Sequence, residues 1–219
     1  MNLFKTPIMK IKFYKIAVFL VIATLLLPIL SGCTETQKSD GGAILAAAKE
    51  KLERSIEVNR ICFGEGLSTL QEGGYPIGGY AEVDPTAAEA VGIRTVSDIK
   101  KLIREVYSAG TSAYVEGSLF HSDNSGEGYS SYSRYLDVTD EKSGESHLMT
   151  KKDYVPLAVG TASYANIRLT SQKKSTAEIM VDITVTDGTE TREFPDTVLT
   201  MCYENGEWYF DELTYASLK

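Results

Sequence analysis

Histidine, serine and aspartate fall side by side in HSDNSGEG, residues 121–128. Nucleophilic catalysis needs a hydroxyl, a base and an orienting acid, and such triads are assembled in space from separate elements rather than from chain neighbours. No G-x-S-x-G elbow occurs in the chain to present a serine on a strand-to-helix turn. His121 is therefore given no catalytic role, and the stretch reads as a polar loop after a helix, with Gly126 and Gly128 at the turn. It also fails as a calcium loop, which alternates carboxylates, takes Gly at the sixth position and Glu at the twelfth; only Asp123 and Gly126 conform. No zinc-type spacing links Cys62, Cys202, His121 and His147. The residues point to no catalytic group, no metal site and no cofactor.

The thiol that does carry chemistry is Cys33. Four lysines (Lys5, Lys10, Lys12 and Lys15) and no acid precede an uncharged run, IAVFLVIATLLLPIL, over residues 16–30. A basic segment, an apolar core and small residues before a cut site describe a secretory signal. The run is short for a membrane span, which takes about 20 apolar residues. Leu30, Ser31, Gly32 and Cys33 then form LSGC, which resembles the lipobox of bacterial lipoproteins. That resemblance implies cleavage before Cys33 and diacylglycerol on its sulfur, with acylation of the new amine. More than one acyl chain makes anchoring stable, since one chain alone holds only marginally. Residues 1–32 are read as signal peptide and residues 33–42, with the polar TETQKSDGG, as lipidated cysteine and tether. Residues 43–219 are read as one domain on the outer side of the membrane.

Of the 22 basic residues four lie in the signal peptide, so 18 face 30 acids in the remainder, which carries about −12. Such a body repels nucleic acid and anionic wall polymers and attracts a basic protein partner. Cys62 and Cys202 remain after lipidation. In an exported chain they either pair or stay as buried free thiols.

The positioning elements follow from periodicity. In AILAAAKEKLERSIEVNRIC, Leu45, Ala48, Leu52 and Ile56 share a helical face, with Glu50 and Arg54 four apart on the other side. GEGLSTLQEGGYPIGGYAEVDP reads as irregular loop. TVSDIKKLIREVYS opens a helix with Thr95 and Asp98 as a capping box and Ile99, Leu102, Ile103 and Val106 as its stripe; TSAYVEGSLF suggests a third helix. Beyond residue 130 the period becomes two. In TAEIMVDITVT, Ala177, Ile179, Val181, Ile183 and Val185 point one way, while Glu178, Asp182 and Thr184 point the other. Asp187-Gly188 turns this strand back, and Asn205-Gly206 joins TVLTMCYE to EWYFDEL, a strong hairpin signal. TASYANIRLTS supplies a strand before, and YSRYLDVTD with SHLMTK a further pair. The class is α+β: amino-terminal helices packed on a curved antiparallel sheet.

Helices leading into a meander that closes on YENGEWYFDEL resemble the cystatin-like or NTF2-like fold of exported bacterial proteins. Within that group TVSDIKKLIREVYS, YSRYLDV and NGEWYFDEL are similar to the secreted DL-endopeptidase inhibitor family of Gram-positive bacteria, over about residues 75–213. The resemblance implies a module that binds and restrains a cell-wall hydrolase of the NlpC/P60 type. The chain departs from it in its lipid anchor and in acidic insertions at 121–130 and 140–147. An NTF2-like body also implies a cone-shaped pocket for a small molecule. Catalysis there would need an acid of raised pKa on the concave face, for which Asp182 and Glu178 are the candidates; their alternation equally places them on the solvent face.

Tyrosine is concentrated in the middle third. Tyr129, Tyr132, Tyr135 and Tyr154 form the candidate binding patch, with Tyr107, Tyr114 and Tyr164 nearby in sequence. Tyrosine gives large contact area at low entropic cost, though strands also recruit aromatics for their core. Trp208 on the last strand is read as core.

Overall fold

Local signals start and stop most elements. In the computed structural model, which describes residues 40–120, 133–156, 160–188 and 190–214, helix α1 spans Gly41–Cys62 and is capped by Asp40, whose carboxylate accepts the Gly42 N–H at 3.2 Å. Strand β1, Tyr80–Glu82, and the short helix α2, Pro85–Glu89, follow. Helix α3, Val96–Val106, begins on the expected capping box: Thr95 accepts from the Asp98 N–H, and the Asp98 carboxylate accepts from the Thr95 N–H. Its buried stripe is the expected Ile99, Leu102, Ile103 and Val106. Helix α4, Ala109–Leu119, starts on Ser108 and buries Ser112, Val115 and Leu119.

The strands are β2, Tyr135–Thr139, and β3, Ser146–Lys151, then β4, Thr161–Gln172, and β5, Thr176–Asp187. The last two are β6, Glu190–Glu204, and β7, Glu207–Phe210. All pair antiparallel, in a three-stranded sheet of order β1-β3-β2 and a four-stranded sheet of order β4-β5-β6-β7. Asn205 and Gly206 both adopt positive φ (51° and 94°), as a two-residue hairpin whose twist matches its strands requires. The residues 140–145 between β2 and β3 form a charged tip, with the Asp140 carboxylate accepting the Lys142 N–H at 2.6 Å and the Ser143 N–H at 3.1 Å.

The α+β class stands, with two differences. A single curved sheet is replaced by two, and β1 precedes three of the four helices. The glycine-rich stretch expected to be loop yields β1 because Tyr80 is buried with Val138 and Met149 in a small separate core, and its hydroxyl donates to the Ser133 carbonyl at 2.7 Å. No helix among the described residues is long and apolar enough to cross a membrane.

The main core lies between α1 and the four-stranded sheet. Ala177, Ile179, Val181, Ile183 and Val185 are all buried there, each of the larger ones contributing about 1.5–3 kcal/mol relative to exposure. The face that α1 offers is turned from the expected one. Ile44, Ala48, Leu52, Ser55, Asn59 and Cys62 are buried, whereas Leu45 and Ile56 are only half-buried. Two polar residues tolerate the interior because both are bonded there. Tyr107 donates to Asn59 Oδ1 at 3.0 Å, Asn59 Nδ2 donates to Thr214 Oγ1 at 2.9 Å, and Thr214 donates to Ser55 Oγ at 3.0 Å. Tyr164 lies 2.9 Å from the same Ser55 oxygen. Burial pushes the Tyr107 and Tyr164 hydroxyls up from their ordinary pKa, so they stay neutral links in the chain.

Candidate functional site

Residues 30–33, His121, Tyr129 and Tyr132 lie outside the described residues. The other half of the expected tyrosine patch faces inward. Tyr135 is 1 % exposed; its hydroxyl donates to the Ile61 carbonyl at 3.0 Å and accepts the Leu67 N–H at 3.1 Å, and burial pushes its pKa up. Tyr154 is half-buried, donates to the Cys62 carbonyl at 3.2 Å and lies under the Arg134 guanidinium, 3.7 Å from its ring centre. Tyr135 is thus corrected from surface patch to scaffold, and Tyr154, half-buried, is tied to the same helix end. The reason is the end of α1: the Ile61 and Cys62 carbonyls, left without partners at a helix terminus, take both hydroxyls.

Arg134 escaped the sequence reading. It is 2 % exposed, and Nη2 donates to the Gly64 carbonyl at 2.7 Å. Its Nε and Nη1 have no hydrogen-bond partner among the described residues. Between two tyrosines in YSRYLDV it carries no local sign of burial.

Cys62 and Cys202 are free thiols, not a disulfide. Cys62 closes α1 beside Tyr154, whereas Cys202 pairs in register with Thr176, where β5 begins. Burial pushes the Cys62 thiol up to about 12; burial and the Glu204 carboxylate push Cys202 up to about 11. Both shifts keep the thiols protonated at neutral pH, which slows their reaction as nucleophiles.

The acid candidates lie on the solvent face. Asp182 sits at an irregularity between β5 and β6. Its carboxylate accepts from Asn166 Nδ2 at 2.6 Å and from the Asp196 N–H at 2.8 Å, and these bonds hold its pKa below the usual carboxylate range. A general acid requires the opposite shift. Glu178 is exposed. Trp208 is core, 4 % exposed and 5.2 Å from the Tyr203 ring. No group of three or more His, Cys, Asp or Glu side chains arranged for a metal occurs among the described residues.

What the described surface does offer is an open groove of about 610 Å³ between α1, α3 and β7. Its cations are largely engaged. Lys51 donates to the Glu105 carbonyl at 2.8 Å and stands 4.3 Å from the Tyr209 ring centre. Arg54 pairs with Glu105 at 3.1 Å, and Arg104 with Glu116 at 2.7 Å. Glu50 and Glu53 line the same groove and are exposed. A visitor meets the exposed carboxylates of Glu50 and Glu53 together with an exposed lysine, Lys101. No family model matches the chain, and the comparison with curated proteins found no match.

Proposed function

We propose that this chain is a lipid-anchored, extracytoplasmic module that works by binding another protein, and that its partner is a cell-wall hydrolase with a basic surface. The observation that carries this reading is the filling of the sheet. The aliphatic face of β5, where a ligand cone would open, is occupied by α1 and forms one continuous core with it. Recognition then falls to the outer surface, which is acidic. A long helix lying on a four-stranded antiparallel meander supports a cystatin-like or NTF2-like body, with the three-stranded sheet as an addition. The small-molecule alternative loses its cone among the described residues. The lipobox supports the location, and the resemblance of the closing strands to the DL-endopeptidase inhibitors supports the partner class.

The test is capture of wall hydrolases on the immobilised chain across a salt series. Binding between an acidic body and a basic surface should weaken as salt shortens the Debye length from about 10 Å at 0.1 M to about 3 Å at 1 M, chiefly through a slower association rate. Glu50→Lys with Glu53→Lys should abolish it. Salt-insensitive capture, or activity of every basic hydrolase tried left unchanged by excess module, counts against the reading.

A further inference from the structure

Charge is unevenly spread over this acidic body. Residues 154–177 contain no acid, and hold Arg168, Lys173 and Lys174. Most of this stretch is β4 and the turn into β5, which is closed by the Lys173 N–H donating to the Thr176 carbonyl at 2.8 Å. Arg168 is spent on Asp196. Lys173 and Lys174 are exposed and have no acidic partner within ion-pair distance among the described residues.

The same end of the sheet receives the chain from the anchor. Gly41, the first residue of α1, lies against β4: a Cβ there would sit 3.2 Å from Leu169 Cδ2, and Leu169 is four residues from Lys173. Seven residues, 34–40, separate Cys33 from this point, and a chain of that length reaches at most about 25 Å. Of the acids at this end, Glu178 is exposed on β5, while three others are engaged within the protein. Asp40 caps α1, Glu204 accepts the Ala109 N–H at 2.9 Å, and Glu207 accepts from the Tyr209 hydroxyl at 3.0 Å. The opposite end of β5 exposes Asp187, followed by Glu190. A strand of 12 residues puts these acids about 36 Å away.

We propose that the β4–β5 turn is a membrane-facing foot: Lys173 and Lys174 contact anionic lipid headgroups and stand the domain upright on its short tether, with Asp187 and Glu190 turned outward. The proposal rests on lipidation of Cys33. A lysine near an anionic surface gains about 1 kcal/mol, a factor of about five, so the pair biases the upright orientation about thirtyfold.

The experiment uses the full chain, purified from membranes in lipidated form and carrying Cys202→Ser. A donor fluorophore is placed at Ser175→Cys or at Asp187→Cys. The protein is reconstituted on phosphatidylcholine vesicles with or without phosphatidylglycerol, with an acceptor on the headgroups. Transfer from position 175 should exceed that from position 187 on anionic vesicles. The excess should collapse on neutral vesicles, at about 1 M salt, and in K173Q/K174Q. Equal transfer from both positions on anionic vesicles overturns the proposal, as does a bias that K173Q/K174Q leaves intact. Intact mass of the same preparation separates the two readings. An unmodified Cys33 sinks the anchor itself, whereas a lipidated chain without orientational bias sinks only the foot.

Discussion

Thr214→Val tests whether the carboxyl-terminal segment is locked into the core by hydrogen bonds. Valine keeps the shape of threonine and removes only the hydroxyl, so no cavity opens. Proton accounting sets the size of the effect. Ser55 has one proton, which goes to the Leu52 carbonyl at 2.7 Å, so its oxygen can only accept from Thr214 and Tyr164. Thr214 gives its proton to Ser55 and accepts that of Asn59 Nδ2. The substitution therefore removes one donor from Ser55 and strands the Asn59 amide in a site where both residues are fully buried. The stranded Asn59 donor costs about 1–3 kcal/mol and the bond lost at Ser55 about 1 kcal/mol net, which sums to about 2–4 kcal/mol. For a body of this size that is about 4–16 °C in Tm. The assay is urea unfolding of residues 34–219, with the midpoint falling and the slope unchanged. Tyr164→Phe, which removes one of two donors to Ser55, should cost about 1 kcal/mol. Ser55→Ala should cost less in the Thr214→Val background than alone. A Thr214→Val chain within about 0.5 kcal/mol of the parent refutes the network.

Gly66→Ala should destabilise by at least about 1–3 kcal/mol, read in the same unfolding assay, because Gly66 holds φ at +88° and a Cβ would meet Arg134 Nη2 at 2.5 Å and Tyr135 Oη at 2.8 Å; a neutral result would mean that Arg134 leaves the site in solution. Asp98 gives a pH signature. The Arg94 N–H, with further bonds from Thr95, holds its carboxyl below the usual range. A lowered folded pKa contributes stability above the unfolded value, about 3.9, and loses it as pH falls through the folded one. Asp98→Asn should cost about 1 kcal/mol at neutral pH and show a shallower acid loss than the parent; parallel pH curves would disprove the cap's role. Under native conditions a thiol reagent should modify Cys202 slowly and Cys62 only after unfolding, and a non-reduced mass two daltons below the thiol form would show a disulfide instead.

The elements legible in the chain are those whose cause is local. The alternation of 176–187 needs only one face to be wet, and Asn205-Gly206 needs only its own backbone freedom, so β5 and the last hairpin lie where periodicity and turn chemistry put them. The Thr95–Asp98 box likewise closes within four residues. The failures are all residues whose partner is remote in sequence. Ser55 and Asn59 are buried on α1 without any local sign of it, and 155 residues separate Asn59 from the Thr214 that lets it be buried. Tyr135 and Tyr154 looked like a patch because nothing near them announces that the end of α1 has two carbonyls to offer. Arg134 is the extreme case, since a buried guanidinium without a carboxylate partner among the described residues contradicts every local expectation. The candidate surface was legible only as a net charge. Its distribution, with exposed carboxylates along α1 and lysines without an ion-pair partner among the described residues at the β4–β5 turn, appears only once the strands fix which charges are neighbours. Net charge by itself predicts repulsion from any anionic surface, whereas the proposed foot adds a local attraction at one end of β5. The two ends differ because a single antiparallel strand, β5, separates them by its whole length.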